Sequence, residues 1–249
     1  MSKPIKFYDI PSKLNKAWSP NTLKTMYTLT FKGLPYEIVW TEYPDIESTC
    51  KSIGAPPTDK KADGRPHYTL PVIHDPNTGA SISESFAIVE YLENTYPNPE
   101  KTLIPAGTRA LQKAFIEAYR GKVFPSLAPL ALPRTADVLN PPSEEYFRST
   151  RAVLFGKPLT ELEPKDDKRA EAWKQVEAGY GAIDGWLKKE DRYVMGDKVS
   201  FVDFVLAGSI LWIRILWGED SEEWKKATSW HDGRWARLVK DFEQYERLS

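Results

Sequence analysis

An α/β half followed by an all-helical half is the fold class that the 249-residue sequence predicts. Three observations carry it. Strand-like and helix-like patterns alternate through the first 97 residues. A proline-rich stretch follows, with Pro97-Asn98-Pro99 and then Pro105-Ala106-Gly107. Beyond it, apolar residues recur only at helical spacing. Two domains are expected, 1–97 and 106–249, each large enough for its own core.

Residues 5–10 form a short apolar strand. Trp18-Ser19-Pro20 then opens a helix over 22–32, with Leu23, Met26, Tyr27 and Leu29 on one face and Gly33 as its stop. Residues 36–41 are a second strand, so strand, helix, strand implies a right-handed parallel crossover. Residues 43–53 read as a short helix, and 56–66, with three prolines, Gly64 and several charges, as a surface loop. Asn77-Thr78-Gly79 is a turn between two apolar runs, which makes 70–74 and 80–82 a β-hairpin. Pro71 inside a strand predicts a cis peptide bond, because a trans proline there loses a ladder hydrogen bond. From Ser83 onward Phe86, Ile88, Val89 and Leu92 mark a helix. The resulting β-α-β-α-β-β-α order is thioredoxin-like.

In the second half, residues 110–123 are amphipathic, and Pro125, Pro129 and Pro133 are expected to kink or end the continuation. Residues 133–142 read as a loop, and 143–155 as a helix closed by Gly156. Trp173, Val176, Tyr180, Ile183 and Leu187 mark one face of a long helix. Ser200-Phe201-Val202-Asp203 has capping-box spacing at the head of an apolar run over 201–217, with Val199 and Phe204 placed for a hydrophobic staple. Two shorter helices, near 221–226 and 233–245, finish the chain.

Thirty-four basic and 35 acidic residues leave a formal net charge of −1, with no long run of either sign. Nothing in that balance calls for nucleic acid or an anionic membrane surface. The single cysteine, Cys50, excludes an intramolecular disulfide and fits a reducing, cytoplasmic setting. The N-terminal residues lack the apolar core of a signal peptide. The run over 201–217 is interrupted by Asp203 and Arg214, which favours a buried helix over a membrane span. His67, His74 and His231 have no metal-ligand spacing, so no metal site is expected. Nine tryptophans and twelve tyrosines fit either an aromatic-lined pocket or large helix-packing surfaces.

Three short motifs carry chemistry. Ser19-Pro20 is an N-cap followed by proline at the first helical position, a capping pair in its own right. The same hydroxyl, at the positive end of a helix, is also placed to donate to a bound thiolate. Lowering a thiol from ~8.5 to ~6.5 takes about 2.7 kcal/mol. A sheltered helix N-terminus contributes up to ~2 kcal/mol, and a hydrogen bond to an anion about 1.5–3 kcal/mol. The two suffice without a histidine base. Pro71-Val72 is the second motif: a cis bond there is expected to leave the Val72 N–H and C=O facing outward, able to hold a peptide in antiparallel fashion. Glu84-Ser85 is the third. Ser81 or Ser83 is the expected cap of that helix, and its N-terminus doubles as a carboxylate site, with Glu84 available to an ammonium group.

Taken together, the segment from Trp18 to Thr25 with Lys32-Gly33, and the block from Leu70 to Pro97, resemble the glutathione transferases with a catalytic serine. Within them, the chain is similar to the fungal class A enzymes and to the bacterial glutathione-dependent β-aryl etherases. The resemblance implies that glutathione is the co-substrate and that Ser19 activates it. It implies that Pro71-Val72 holds the cysteinyl backbone and that Glu84 and Ser85 bind the γ-glutamyl group. For the glycyl carboxylate the basic candidates are Arg65 and His67. It further implies a homodimer. Tyr8 and Cys50 sit poorly as alternative thiol activators. Hydrophobic aromatic compounds are the expected second partner, either as electrophiles, β-aryl ethers among them, or as ligands bound without turnover in the manner of a ligandin. Their pocket is expected between the halves, bounded by Trp18, Phe115, Tyr119 and Trp212, although core packing accounts equally well for each of the last three.

Overall fold

The computed structural model describes residues 2–246, so the outer limits of the two expected domains, 1 and 249, lie outside the described residues. In the N-terminal half, β1 (Ile5–Asp9), α1 (Pro20–Lys32), β2 (Tyr36–Trp40), α2 (Ile46–Ser52), β3 (Asp59–Lys60), β4 (Pro66–His67), β5 (Val72–Asp75), β6 (Ala80–Ser83) and α3 (Ser85–Thr95) follow in order. The main sheet runs β2-β1-β5-β6. β1 pairs β2 in parallel, as the strand-helix-strand crossover requires, and pairs β5 antiparallel. This is the thioredoxin-like arrangement that the element order predicts.

Two details depart from expectation. The stretch 56–66 is not wholly loop: β3 and β4 form a small separate hairpin, pairing Asp59 with His67 and Lys60 with Pro66. And α3 is capped neither by Ser81 nor by Ser83, whose hydroxyls donate to the carbonyls of Ile53 and Pro56 and tie β6 to the turn after α2. Glu84 is the cap, its carboxylate accepting from the N–H groups of Phe86 and Ala87.

The C-terminal half is all helical: α4 (Arg109–Val138), α5 (Pro141–Phe155), α6 (Asp166–Asp184), α7 (Phe201–Trp217) and α8 (Glu222–Phe242). Of the two outcomes expected at the prolines, a kink or an end, α4 does not end there. The helix runs 30 residues through Pro125, Pro129 and Pro133, and the loop expected at 133–142 shrinks to Leu139 and Asn140. The spacing explains it. Each proline lacks an N–H for the carbonyl four residues back, and here those carbonyls belong to Gly121, Pro125 and Pro129. The missing bonds therefore stack in one column on one side of the helix and leave the rest of the ladder intact. Gly156 in the left-handed region ends α5 as expected. α6 stops at Asp184, short of Leu187. α8 is two helical segments joined by a non-helical turn at residues 230–233, matching the two short helices of the sequence pattern.

A continuous core joins the halves. α1 lies between the sheet and α7, where the fully buried Tyr27 ring meets Phe204 and Phe242 at centroid distances of 5.5 and 6.0 Å. The nearly inaccessible Lys32 ammonium at the end of α1 donates to Glu93 of α3 at 2.9 Å. Glu93 also accepts from Thr102 and from the Leu103 N–H, which pins the proline-rich connection. Among the described residues no helix is long and apolar enough to cross a membrane.

Candidate active site

A cleft of about 780 Å³ opens between the two halves, with the head of α1 on its floor. Ser19 is the N-cap of α1 and only 4% exposed. Its Oγ accepts from the Asn21 N–H at 3.3 Å. No acceptor among the described residues takes the Ser19 hydroxyl proton, so it is available to a group in the cleft. Pro20 occupies the first helical position, where its missing N–H costs nothing. Beside Ser19, the buried Trp18 indole donates to the Ile10 carbonyl at 2.9 Å and is thereby held against the end of β1.

Asp9 closes β1 just beneath this point and is wholly buried. One carboxylate oxygen accepts from the Ile10 N–H at 2.7 Å, and the other has no partner. Burial pushes the Asp9 carboxyl up to about 7 against the opposing pull of Thr22 and the Ile10 N–H. On the cleft wall, Lys24 is driven down to about 8, by burial first and then by nearby Arg120.

Facing Ser19 are Thr69, Leu70 and Pro71, and the Leu70-Pro71 peptide is cis. Val72 is not where the sequence reading puts it. It lies one residue too deep, opposite Tyr8 of β1 and Ser83 of β6, and is wholly buried. A residue flanked by strands on both sides directs its main chain into the sheet. Leu70, just before the strand begins, takes the cleft-facing position instead. The signal was present, since the residue before a proline is held extended.

Glu84 and Ser85 line the same cleft at the head of α3. Glu84 has φ 77°, an uncommon conformation for a non-glycine residue and one that concentrates at ligand clamps. Ser85 Oγ donates to Glu84 at 3.2 Å. Of the two basic candidates in the loop, His67 lines the cleft, whereas Arg65 is exposed and paired with Asp63. Burial, followed by Arg151 and Lys61, lowers the His67 pKa.

The other half of the cleft is apolar and aromatic. Tyr119 and Trp212 line it. The Tyr119 hydroxyl meets that of Tyr180, which donates to Ser209 at 2.9 Å. Phe115 does not line it: one turn away on α4, its ring packs edge-on against Trp186 at 5.7 Å. The wall contains instead Phe124 on α4, Tyr43, and Phe147, Leu154 and Phe155 on α5. Leu154 is 72% exposed and Phe124 47%, so the mouth is apolar where it meets water. The Val153-Leu154-Phe155 run before Gly156 was the sequence signal for this wall.

Neither alternative thiol activator is in place. Tyr8 is a buried strand residue whose pKa is raised by burial. Cys50 is 1% exposed inside α2, and burial pushes its thiol up to about 11. Among the described residues no group of three or more potential metal ligands comes together.

Comparison with known proteins identifies the family of both halves. Residues 18–95 match the model of the glutathione S-transferase N-terminal domain, and 110–245 that of the C-terminal domain. A glutathione S-transferase of Ceriporiopsis subvermispora, crystallised with glutathione, superposes with a TM-score of 0.94 at 48% identity, covering 99% of each chain. Glutathione transferase GSTFuA3 from Phanerochaete chrysosporium gives 0.94 at 45% identity over the whole of both chains. The glutathione S-transferase-like protein ustS of Aspergillus flavus is 32% identical, over 94% of this chain and 88% of its own. With both halves matched, and with fungal relatives similar over nearly their full length, the chain belongs to the glutathione S-transferase family.

Proposed function

We propose that this chain binds glutathione along the Leu70-Pro71 and Glu84-Ser85 edge and activates its thiol at Ser19 for attack on an aromatic electrophile. The observation that carries the reading is the buried Ser19 hydroxyl, its proton uncommitted, at the head of α1 inside the cleft. A thiolate seated there meets the positive end of a 13-residue helix and one strong donor. Leu70 rather than Val72 is the residue whose main chain would hold the cysteinyl part. The first turn of α3 would receive the γ-glutamyl carboxylate, with Glu84 for its ammonium, and His67 would meet the glycyl end. The Lys24 and Arg120 charges favour the anionic form of the ligand. Aromatic electrophiles, β-aryl ethers included, would enter over Phe124, Leu154 and Phe155. The homodimer implied by the family resemblance is part of the proposal and is measurable by light scattering.

A second reading is a ligandin, holding aromatic compounds beside glutathione with little turnover. The exposed apolar mouth is what favours it. Mass analysis of the bound compound after incubation separates the two, since adducts or cleaved ethers mean catalysis and an intact ligand means storage.

Glutathione at millimolar concentration should raise the melting temperature of the protein, because a ligand of the folded state stabilises it. Ser19→Ala should keep that shift while lowering kcat/KM for aryl halides roughly 10- to 100-fold, the loss of one hydrogen bond to an anion. It should also cost about 1 kcal/mol of stability as a lost N-cap. A variant that loses stability but not activity would make Ser19 a helix cap and nothing more.

A further inference from the structure

Arg151 of α5 stands in the aromatic wall of the cleft. Its guanidinium lies 4.4 Å from the centroid of the Phe147 ring and 5.8 Å from that of Tyr43. The other cleft arginine, Arg120, is paired with Glu117. Arg151 has no carboxylate partner among the described residues, and its one hydrogen bond goes to the neighbouring Thr150 hydroxyl at 3.1 Å. The Tyr43 hydroxyl, in the same wall, makes no hydrogen bond among the described residues. A half-buried cation held between aromatic faces without a counter-ion is one half of an ion pair. Its remaining N–H donors match the two oxygens of a carboxylate.

We propose that the aromatic half of the cleft selects anionic aromatic compounds, arylcarboxylates above all, and that Arg151 recognises their charge while Tyr43 and Phe147 receive the ring. The proposal rests on reading the cleft as a glutathione-conjugating site, and it adds the chemistry of the second substrate. Glutathione has carboxylates of its own, but its bed runs along Leu70-Pro71 and the head of α3. The nearest neighbours of Arg151 are the Phe147 and Tyr43 rings, a bed for an aryl body. His67, at the proposed glycyl end, is close enough to feel the arginine charge, so the glutathione arm of the test below decides which ligand the arginine serves.

Calorimetric titration with 2-naphthoate and 2-naphthamide, which differ in charge and little in shape, tests this on the full-length protein with and without glutathione. The wild type should bind the naphthoate about tenfold more tightly or better, the scale of one charge-assisted interaction. Added salt should weaken the naphthoate alone. Arg151→Met, which keeps an unbranched apolar stem over Phe147, should abolish the preference, and Arg151→Lys should keep part of it. Melting curves establish that both variants fold, and the lysine variant carries the test should the methionine one fail. Equal wild-type affinity for both probes, or an equal loss of both in Arg151→Met, would reduce Arg151 to a piece of wall and overturn the proposal. So would an Arg151→Met variant that binds naphthoate normally and glutathione poorly, since the arginine would then serve the tripeptide. Absence of a glutathione-induced melting shift in the wild type would instead overturn the conjugation reading and leave the naphthoate preference to stand by itself.

Discussion

Asp9 sits in an environment far from that of its side chain in water. Its carboxyl is wholly buried, has one unpartnered oxygen, and is held up at about 7 by burial. In the unfolded chain the same group titrates near its ordinary value of 3.8. As pH rises the unfolded chain therefore loses its proton first, and the folded state keeps its own until about 7. The stability this group contributes is full below about pH 4 and is lost as pH climbs through about 7. Asp9→Asn cannot ionise, yet its amide oxygen can still accept from the Ile10 N–H. The variant should resemble wild type near pH 4 and be the more stable protein above pH 7, by on the order of a few kcal/mol. Melting temperatures of both proteins at pH 5 and pH 8 measure this. A gap that does not widen with pH would mean that the carboxylate is already ionised in the fold. Residue-scale chemistry of this kind was legible in the sequence only where it is local. Ser19 announced itself because an N-cap and a following proline are neighbours in the chain. Asp9 did not, because its burial comes from strand pairing and from α1 lying over it. Val72 was expected to face outward, but its pairing with strands on both sides turns its main chain into the sheet, and that pairing is long-range; the local signal, the extended residue before Pro71, pointed to Leu70.

At the scale of elements, α7 depends most on a few polar atoms. Ser200 and Asp203 form the capping box expected from their spacing. Asp203 accepts from the Ser200 N–H and hydroxyl and also from the Val194 N–H at 2.8 Å, so it ties the preceding loop to the helix. The residue is wholly buried. Asp203→Ala would leave the buried Ser200 N–H and the half-buried Val194 N–H without acceptors, each costing about 1–3 kcal/mol. The expected loss is ~3 kcal/mol or more, read from urea unfolding at pH 7. A loss below 1 kcal/mol would mean that water enters to satisfy both groups. Capping boxes and closing glycines are short-range signals, and Gly33, Gly156 and Ser200–Asp203 were all read correctly for that reason. The loop expected after α4 was misread because the rule that proline ends helices concerns one proline at a time. Three at intervals of four share a single column of lost bonds, and the buried stretch from Leu127 to Ala136 holds the helix by packing. Phe115 shares a helical face with Tyr119 but sits one turn earlier along α4, where its ring packs against Trp186 and not in the cleft.

For the whole molecule, the position of Ser19, the proposed thiol site, is expected to depend on contact between the halves, since Ser19 heads α1 and α1 rests on α7. Gly208 of α7 lies at that contact: a Cβ added there would sit 3.2 Å from the Pro20 carbonyl oxygen and 3.6 Å from Leu23 Cβ. Pro20 is the residue after Ser19, so any side chain at 208 presses on the head of α1. Composition and periodicity divided the chain into its two halves, but they could not show that the second half sets the geometry of a serine in the first. Gly208→Val should destabilise the protein by about 1–3 kcal/mol through overpacking. It should also move Ser19 relative to Leu70 and Pro71 by several tenths of an ångström. Misplacement by about 1 Å costs on the order of a hundredfold in rate, so a loss of about tenfold in kcat/KM is expected, with Gly208→Ala between it and wild type. Activity measured well below the melting temperature separates displacement from unfolding. If Gly208→Val loses stability but conjugates at the wild-type rate, α1 yields elsewhere along its length and the site is not set by this contact. A graded loss of rate across Ala and Val, at temperatures where all three proteins are folded, is the outcome that places control of the serine in the helical half.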